Sequence, residues 1–405
     1  MGYTGQTIKG FSFLALLRII TRILSLVKNL IIARVLSPSQ FGAFGIAILV
    51  LVFAEIITET GVNTFLIQNK EETNQYIDTS WLVSIIRGLV IFLLIIIFSP
   101  WISLFFNNPD SKNLLIIINF VPLLRGFINP SVIKFQKELM FHKEFYYRTG
   151  CFLVETFFSI ILVLLTKRTE SLIYGMILGT IFEVILSFLI VKPTPKFVFN
   201  PQLFKKVIGY GKWITASTIF NYFYQHGDDI VVGRVLGSTS LGLYDMAYRI
   251  SLVPLTDVSD VVSKVTFPVY VKISEEKERF RKAFIKTLGG VIIFTLPLGF
   301  LLFLFPKEIV TLVLGDKWLP AAPALKILGI FGIVRAISSF SQSIFLSLGK
   351  QSIFTLISLV GLMGLLLTII PFTSAWGITG AAFSALLGTS LTIPVTFYFI
   401  HKYLW

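Results

Sequence analysis

Stretches of roughly twenty predominantly apolar residues recur along the whole chain, and that is the length one helix needs to cross a bilayer core. Leu89–Phe98 with its flanks, Ser159–Leu165, Val291–Phe305 and Leu356–Ile370 are examples. In lipid only α-helices and closed barrels satisfy every backbone polar group. Barrel strands alternate polar and apolar residues, whereas these runs are continuously apolar. The sequence therefore predicts an all-α membrane protein with no soluble domain. Composition agrees: 55% of residues are apolar and only 14% charged, against about 25% charged in soluble domains.

Twelve spans are expected, near residues 11–33, 41–66, 79–99, 113–133, 147–166, 171–191, 207–233, 241–264, 284–305, 321–346, 352–371 and 376–400. Turn chemistry separates them, as at Ser37-Pro38-Ser39, Asn107-Asn108-Pro109-Asp110 and Gly315-Asp316. Arg18, Arg22 and Lys28 interrupt the first apolar stretch, so it reads as a retained membrane helix rather than a signal peptide. With an even number of spans and a cytoplasmic N-terminus, 20 Lys and Arg fall in inner segments, among them Lys134, Lys143, Lys192 and Lys282. Only 7 fall in outer ones: Arg34, Lys112, Lys167, Arg168, Arg234, Lys307 and Lys317. The positive-inside rule then puts both termini in the cytoplasm of an inner-membrane protein. It also explains the +14 net charge without nucleic acid.

A repeat divides the chain. Ile31–Ile48 (IIARVLSPSQFGAFGIAI) and Val231–Tyr248 (VVGRVLGSTSLGLYDMAY) share Arg, Val, Leu, Gly and Ala at a constant offset of 200 residues. Each half holds six spans, so both halves start on the same side. The expected architecture is two parallel six-helix bundles, residues 1–200 and 201–405, around a cavity suited to alternating access.

Eight basic residues fall inside spans: Arg18, Arg22, Lys28, Arg87, Arg125, Arg249, Lys326 and Arg335. Charge at mid-bilayer costs at least about 2.5–3.5 kcal/mol per residue, so each needs water or a partner. The first span carries Arg18, Thr21, Arg22, Ser25, Lys28 and Asn29 at helical spacing. Shifted by 200, the stripe reads Thr218, Asn221, Tyr222, Gln225, Asp228 and Asp229, with its charge inverted. Arg18 and Arg22 suit an anionic headgroup, since guanidinium pairs bidentately with phosphate oxygens; the alternative is pairing with Glu55 and Glu59 on the next span. Lys28 and Arg249 join the substrate-binding candidates, against snorkelling for Lys28 and an i,i+4 pair with Asp245 for Arg249. Glu155 and Glu183 are candidates for proton or sodium coupling, or for hydrogen bonding between helices. Asp228 and Asp229 read either as a gating or cation site or as a solvated helix end. Lys272–Lys286 sets Phe280, Phe284 and Ile285 against a charged face, as an interfacial amphipathic segment would.

The one cysteine, Cys151, excludes a disulfide framework and reads as a packing residue. No zinc-protease pattern, hydrolase elbow or phosphate-binding loop occurs, so neither an enzyme nor a bound cofactor is expected.

ARVLSPSQFGAFGIAI with Gly61 and Leu66–Gln68, and DDIVVGRVLGSTSLGLYDMAYRI with Pro254 and Thr266–Tyr270 (TFPVY), carry a specific resemblance. Over essentially its whole length the chain resembles the polysaccharide exporter (O-antigen flippase-like) branch of the multidrug/oligosaccharidyl-lipid/polysaccharide (MOP) superfamily. The resemblance implies a monomeric flippase carrying an undecaprenyl-diphosphate-linked oligosaccharide to the outer leaflet, with cationic cavity residues on the diphosphate. A drug or cation antiporter of the same superfamily would call for a more acidic or aromatic cavity. A membrane sugar polymerase would call for a sizeable outer loop, and the outer segments near 99–112 and 306–320 are short.

Overall fold

The computed structural model describes residues 3–68, 74–198, 200–201, 203–204 and 211–404, and every regular element among them is a helix. In order these are α1 (Tyr3–Val35), α2 (Pro38–Ile57), α3 (Val62–Gln68), α4 (Asn74–Phe105), α5 (Asp110–Ile118), α6 (Phe120–Arg125), a 3-10 turn (Pro130–Ile133), α7 (Lys134–Lys137), α8 (Phe141–Thr166), α9 (Glu170–Ile190), α10 (Gly211–Ile273), α11 (Lys277–Leu304), α12 (Pro306–Val313), a second 3-10 turn (Asp316–Ala321), α13 (Ala322–Ser347) and α14 (Gln351–Leu404). Lys70, Lys205 and Lys206 of the charge count, and the start of the seventh span, lie outside the described residues.

Seven of the described helices are long and apolar enough to cross a membrane, or eight if a bent pair counts as one span. Neither α1 nor α10 is among these seven, although α10, like α14, is long enough to carry two of the expected spans. The helix α10 is interrupted at Gly237 (φ 82°, ψ 177°) and α14 at Gly377 (φ 61°, ψ −143°), conformations that only glycine adopts without strain. Large apolar side chains such as Leu104, Leu165, Leu189, Ile293 and Leu367 are exposed along these helices, as lipid-facing residues are.

Two spans differ from expectation. The second ends at Ile57, not near 66. There Thr58 caps the helix through its N–H to the Ala54 carbonyl, and Gly61 (φ 70°) turns the chain before α3. The fourth, expected as one helix over 113–133, is broken: Asp110–Arg125 meets Pro130–Lys137 at 71°. Pro122 has no N–H for the Ile118 carbonyl. Asn129 then starts a new turn by accepting from the Ser131 N–H at 2.9 Å. Its Nδ2 donates to the carbonyls of Val191 and Pro193, tying the bend to the chain that leaves α9.

The chain groups into two compact units, Met1–Gln225 and His226–Trp405, with the boundary inside α10. Residues before it pack on α2: Tyr222 donates to the Leu49 carbonyl at 2.9 Å, and Phe53 meets both Tyr222 and Phe223. In the first unit Ala43, Ala47, Leu51 and Ala54 of α2 pack with Ile91, Ile95, Leu115, Ile118, Val121 and Ile173. In the second unit Tyr270, Phe280, Phe284, Phe340, Phe345 and Ile357 form the core. Phe280 and Phe284, read from sequence as facing an interface, are inside that core, where Phe284 stacks on Phe340. Ile285 alone of the three is exposed.

Candidate functional site

Guanidinium and carboxylate groups placed at helix level in a membrane protein must pair or meet water, and the first unit gathers them around one cavity. This cavity, about 590 Å³, is walled by the end of α2, the first half of α4, the end of α6 with the bend after it, the first turns of α8, and Glu183 of α9. Arg125 Nη1 lies 2.8 Å from Glu55 Oε1. Arg87 Nη2 lies 3.0 Å from Glu59 Oε2 and donates to the Glu55 carbonyl at 2.6 Å. On α8, Arg148 Nε lies 2.7 Å from Glu144 Oε1, which also accepts from Gln136 Nε2. Tyr147 donates to Glu183 at 3.4 Å. The broken fourth span makes this possible, because it ends α6 at Arg125 and turns the chain aside to leave space beneath it.

The candidates read from sequence divide among three places. Glu55 and Glu59 line the cavity, and the partners the structure gives them are Arg125 and Arg87. Glu183 lines it too. Arg18 and Arg22 are exposed on α1. Lys28, one helical turn and a half further on, reaches Glu155 Oε1 at 2.9 Å and lies over the Phe152 ring. It is held by a partner, so it does not snorkel, and Glu155 sits where α8 packs closely on α9. A Cβ on Gly179 would come within 2.6 Å of the Glu155 side chain.

In the second unit the carboxylates are more deeply placed. Asp228 is 4% exposed. It accepts from Tyr244 Oη at 2.7 Å and from the Asp229 N–H at 3.1 Å, which overturns a solvated helix end for this residue. Asp229 meets His226 Nδ1 at 3.3 Å. Arg249 Nε is 2.9 Å from both oxygens of Asp245, so its charge is met within one turn of its own helix. Arg335 donates to Tyr248 Oη at 2.8 Å.

Sequence reasoning underrated Arg87, Arg125, Arg148 and Glu144. In the sequence Arg87 and Arg125 are marked only as charges within spans, and Arg148 counts among the 20 basic residues of the inner segments. The Glu144/Arg148 spacing of four was the available signal. Among the described residues no group of three or more His, Cys, Asp or Glu could hold a metal ion.

Broken helices that gather polar groups between them occur in membrane transporters, and proteins similar to this chain include such transporters. The fold matches a structure titled lipid II flippase MurJ, inward closed conformation, with TM-score 0.75 and 18% identity over 96% of this chain and 87% of that one. It also matches an inward-facing multidrug resistance MATE family transporter of the MOP superfamily, with TM-score 0.67 and 13% identity over 97% and 98% of the two chains. The chain belongs to the family described as polysaccharide biosynthesis protein, whose model matches residues 31–323. Relatives include an uncharacterized membrane protein in the cps region of Klebsiella pneumoniae, 27% identical over 98% of this chain and 82% of that protein. Another is the lipopolysaccharide biosynthesis protein WzxC of Escherichia coli strain K12, 26% identical over 87% and 72% of the two chains.

Proposed function

We propose that this protein is a flippase that moves an undecaprenyl-diphosphate-linked oligosaccharide from the cytoplasmic to the outer leaflet during surface polysaccharide biosynthesis. It works by alternating access between lobes 1–200 and 201–405, as a monomer in the inner membrane with both termini cytoplasmic. One observation carries the reading: in a chain of the polysaccharide biosynthesis family, Arg18 and Arg22 stand exposed one turn apart on α1, the helix expected to be the first span. Side chains four apart on a helix have Cβ atoms about 5–6 Å apart, so two guanidinium forks can grip one diphosphate. Lys28 joins them when Glu155 releases it, and Arg249, paired with Asp245, is the substrate-binding candidate of the second unit. Family relatives named for glycan biosynthesis and transport, and a fold shared with a lipid II flippase, support a lipid-linked glycan as cargo.

A cycle coupled to an ion gradient then needs groups that change charge or hold the ion. Asp228 and Asp229 with His226 in the second unit, and Glu55, Glu59, Glu155 and Glu183 in the first, are the carboxylates through which H+ or Na+ would act.

Replacing both Arg18 and Arg22 with Ala should abolish surface polysaccharide while membrane abundance of the protein stays normal. Polysaccharide at the wild-type level would remove the headgroup role. The lobe arrangement has its own test: single cysteines at Ser37 and Thr239, in a chain with Cys151 replaced, should both react with an impermeant maleimide from outside the cell. Labelling from opposite sides would break the shared orientation of the two halves.

A further inference from the structure

The cavity of the first unit is not explained by holding a diphosphate. Its walls carry four carboxylates, Glu55, Glu59, Glu144 and Glu183, against three guanidinium groups, Arg87, Arg125 and Arg148. An anion gains no net field there, and a bare cation would face the arginines. What the walls do present is donors and acceptors side by side. Arg125 and Arg148 each give one N–H to a glutamate, and a guanidinium has five. Both are substantially exposed, at 42% and 51% of the side chain. Glu144 is 3% exposed, and its Oε1 takes two donors while Oε2 has none. A buried carboxylate oxygen without a donor is rare in a finished structure and marks a place where a partner is missing. Asn63 and Ser84 add neutral polar groups to the same walls.

Alternating donors and acceptors match a molecule whose every group does both, namely a hydroxyl-rich sugar. The volume, about 590 Å³, lies within the range of small-molecule sites, roughly 300–1,000 Å³. We infer that this cavity is a glycan subsite: it takes the sugar rings next to the lipid carrier, with Glu144 Oε2 accepting a sugar hydroxyl and Arg148 and Arg125 donating to neighbouring ring oxygens. The inference rests on the flippase reading but assigns a different part of the cargo to a different place. The diphosphate goes to the α1 arginines, and the sugar goes to the pocket between α2, α4, α6 and α8.

The full chain in lipid nanodiscs tests this with two probes, undecaprenyl diphosphate and the lipid-linked oligosaccharide pool extracted from the host's membranes. Wild type should bind the glycosylated pool at least about tenfold more tightly than the bare carrier, the loss expected when hydrogen bonds to charged groups are absent. Glu144→Gln, which puts an amide in place of the lone acceptor, should erase most of that preference and leave bare-carrier affinity unchanged. Asn63→Leu, on another wall, should reduce it too, and it carries the test alone if the Glu144 variant does not fold. Two outcomes overturn the subsite while the flippase reading stands: a wild type that does not distinguish the probes, or a preference that survives in both variants. A wild type that binds neither probe takes the flippase reading down as well.

Discussion

At the constant offset of 200 residues the two halves solve the same structural problem with opposite charges. Position 28 is a lysine that reaches across to Glu155 on another helix. Position 228 is an aspartate that takes a proton donor, Tyr244, from the far side of its own turn. The turn itself repeats the contrast. At position 37 a serine builds a capping box with Gln40 and hands the chain to Pro38. At position 237 a glycine, which has no side chain to cap with, turns the chain through positive φ. The backbone path recurs while the polar wiring does not. A repeat therefore conserves where helices turn, and leaves each unit to settle its buried charges with whatever partner lies nearby.

The largest effect should come from forcing one half to imitate the other. Lys28→Asp sets a carboxylate against Glu155 in a pair that is only partly buried, and should cost about 3 kcal/mol, the lower end for breaking a buried pair. Almost no monodisperse protein should then be recovered in detergent, and adding Glu155→Lys should restore it. Recovery of the single variant at wild-type yield would show that the pair does not hold α1 to α8. Next comes Gly237→Ala. No atom lies within 4 Å of the added methyl, so the cost is that of the backbone conformation alone, about 1–3 kcal/mol; a thermal midpoint unchanged in lipid nanodiscs would mean the turn can relax. Tyr244→Phe leaves Asp228 with only the Asp229 N–H and should cost about 1.5 kcal/mol, read as a lower midpoint that Asp228→Asn partly restores. Ser37→Ala removes the capping box at the corresponding place and should be mildest, about 1 kcal/mol. If it proved worse than Gly237→Ala, the contrast between a capped and a glycine turn would be reversed.

Much of the fold was legible because membrane helices announce themselves locally. Apolar runs, the Ser37-Pro38-Ser39-Gln40 start and the glycines at 237 and 377 are all visible within a few residues of chain. The ion pairs were not legible for the opposite reason. Glu55 finds Arg125 70 residues away and Lys28 finds Glu155 127 residues away, distances over which spacing rules carry no information. The broken fourth span lies between these cases. Pro122 and Asn129-Pro130 were in plain view, but the apolar run around them reads as continuous when only hydropathy is weighed.

That break also bears on how the protein is made. Asp110–Arg125 holds 16 residues, about 24 Å of helix, which is short of a hydrocarbon core of about 30 Å. By itself this segment is too short to span the core without thinning the bilayer, and it ends on the charge of Arg125. Its neutralising partner, Glu55, has already been synthesised 70 residues earlier. The carbonyls that pin the bend at Asn129 come later, the first of them 62 residues downstream at Val191. The pair with Glu55 can therefore form as soon as Arg125 is made, whereas the hydrogen bonds that pin the bend can close only after the sixth span is complete.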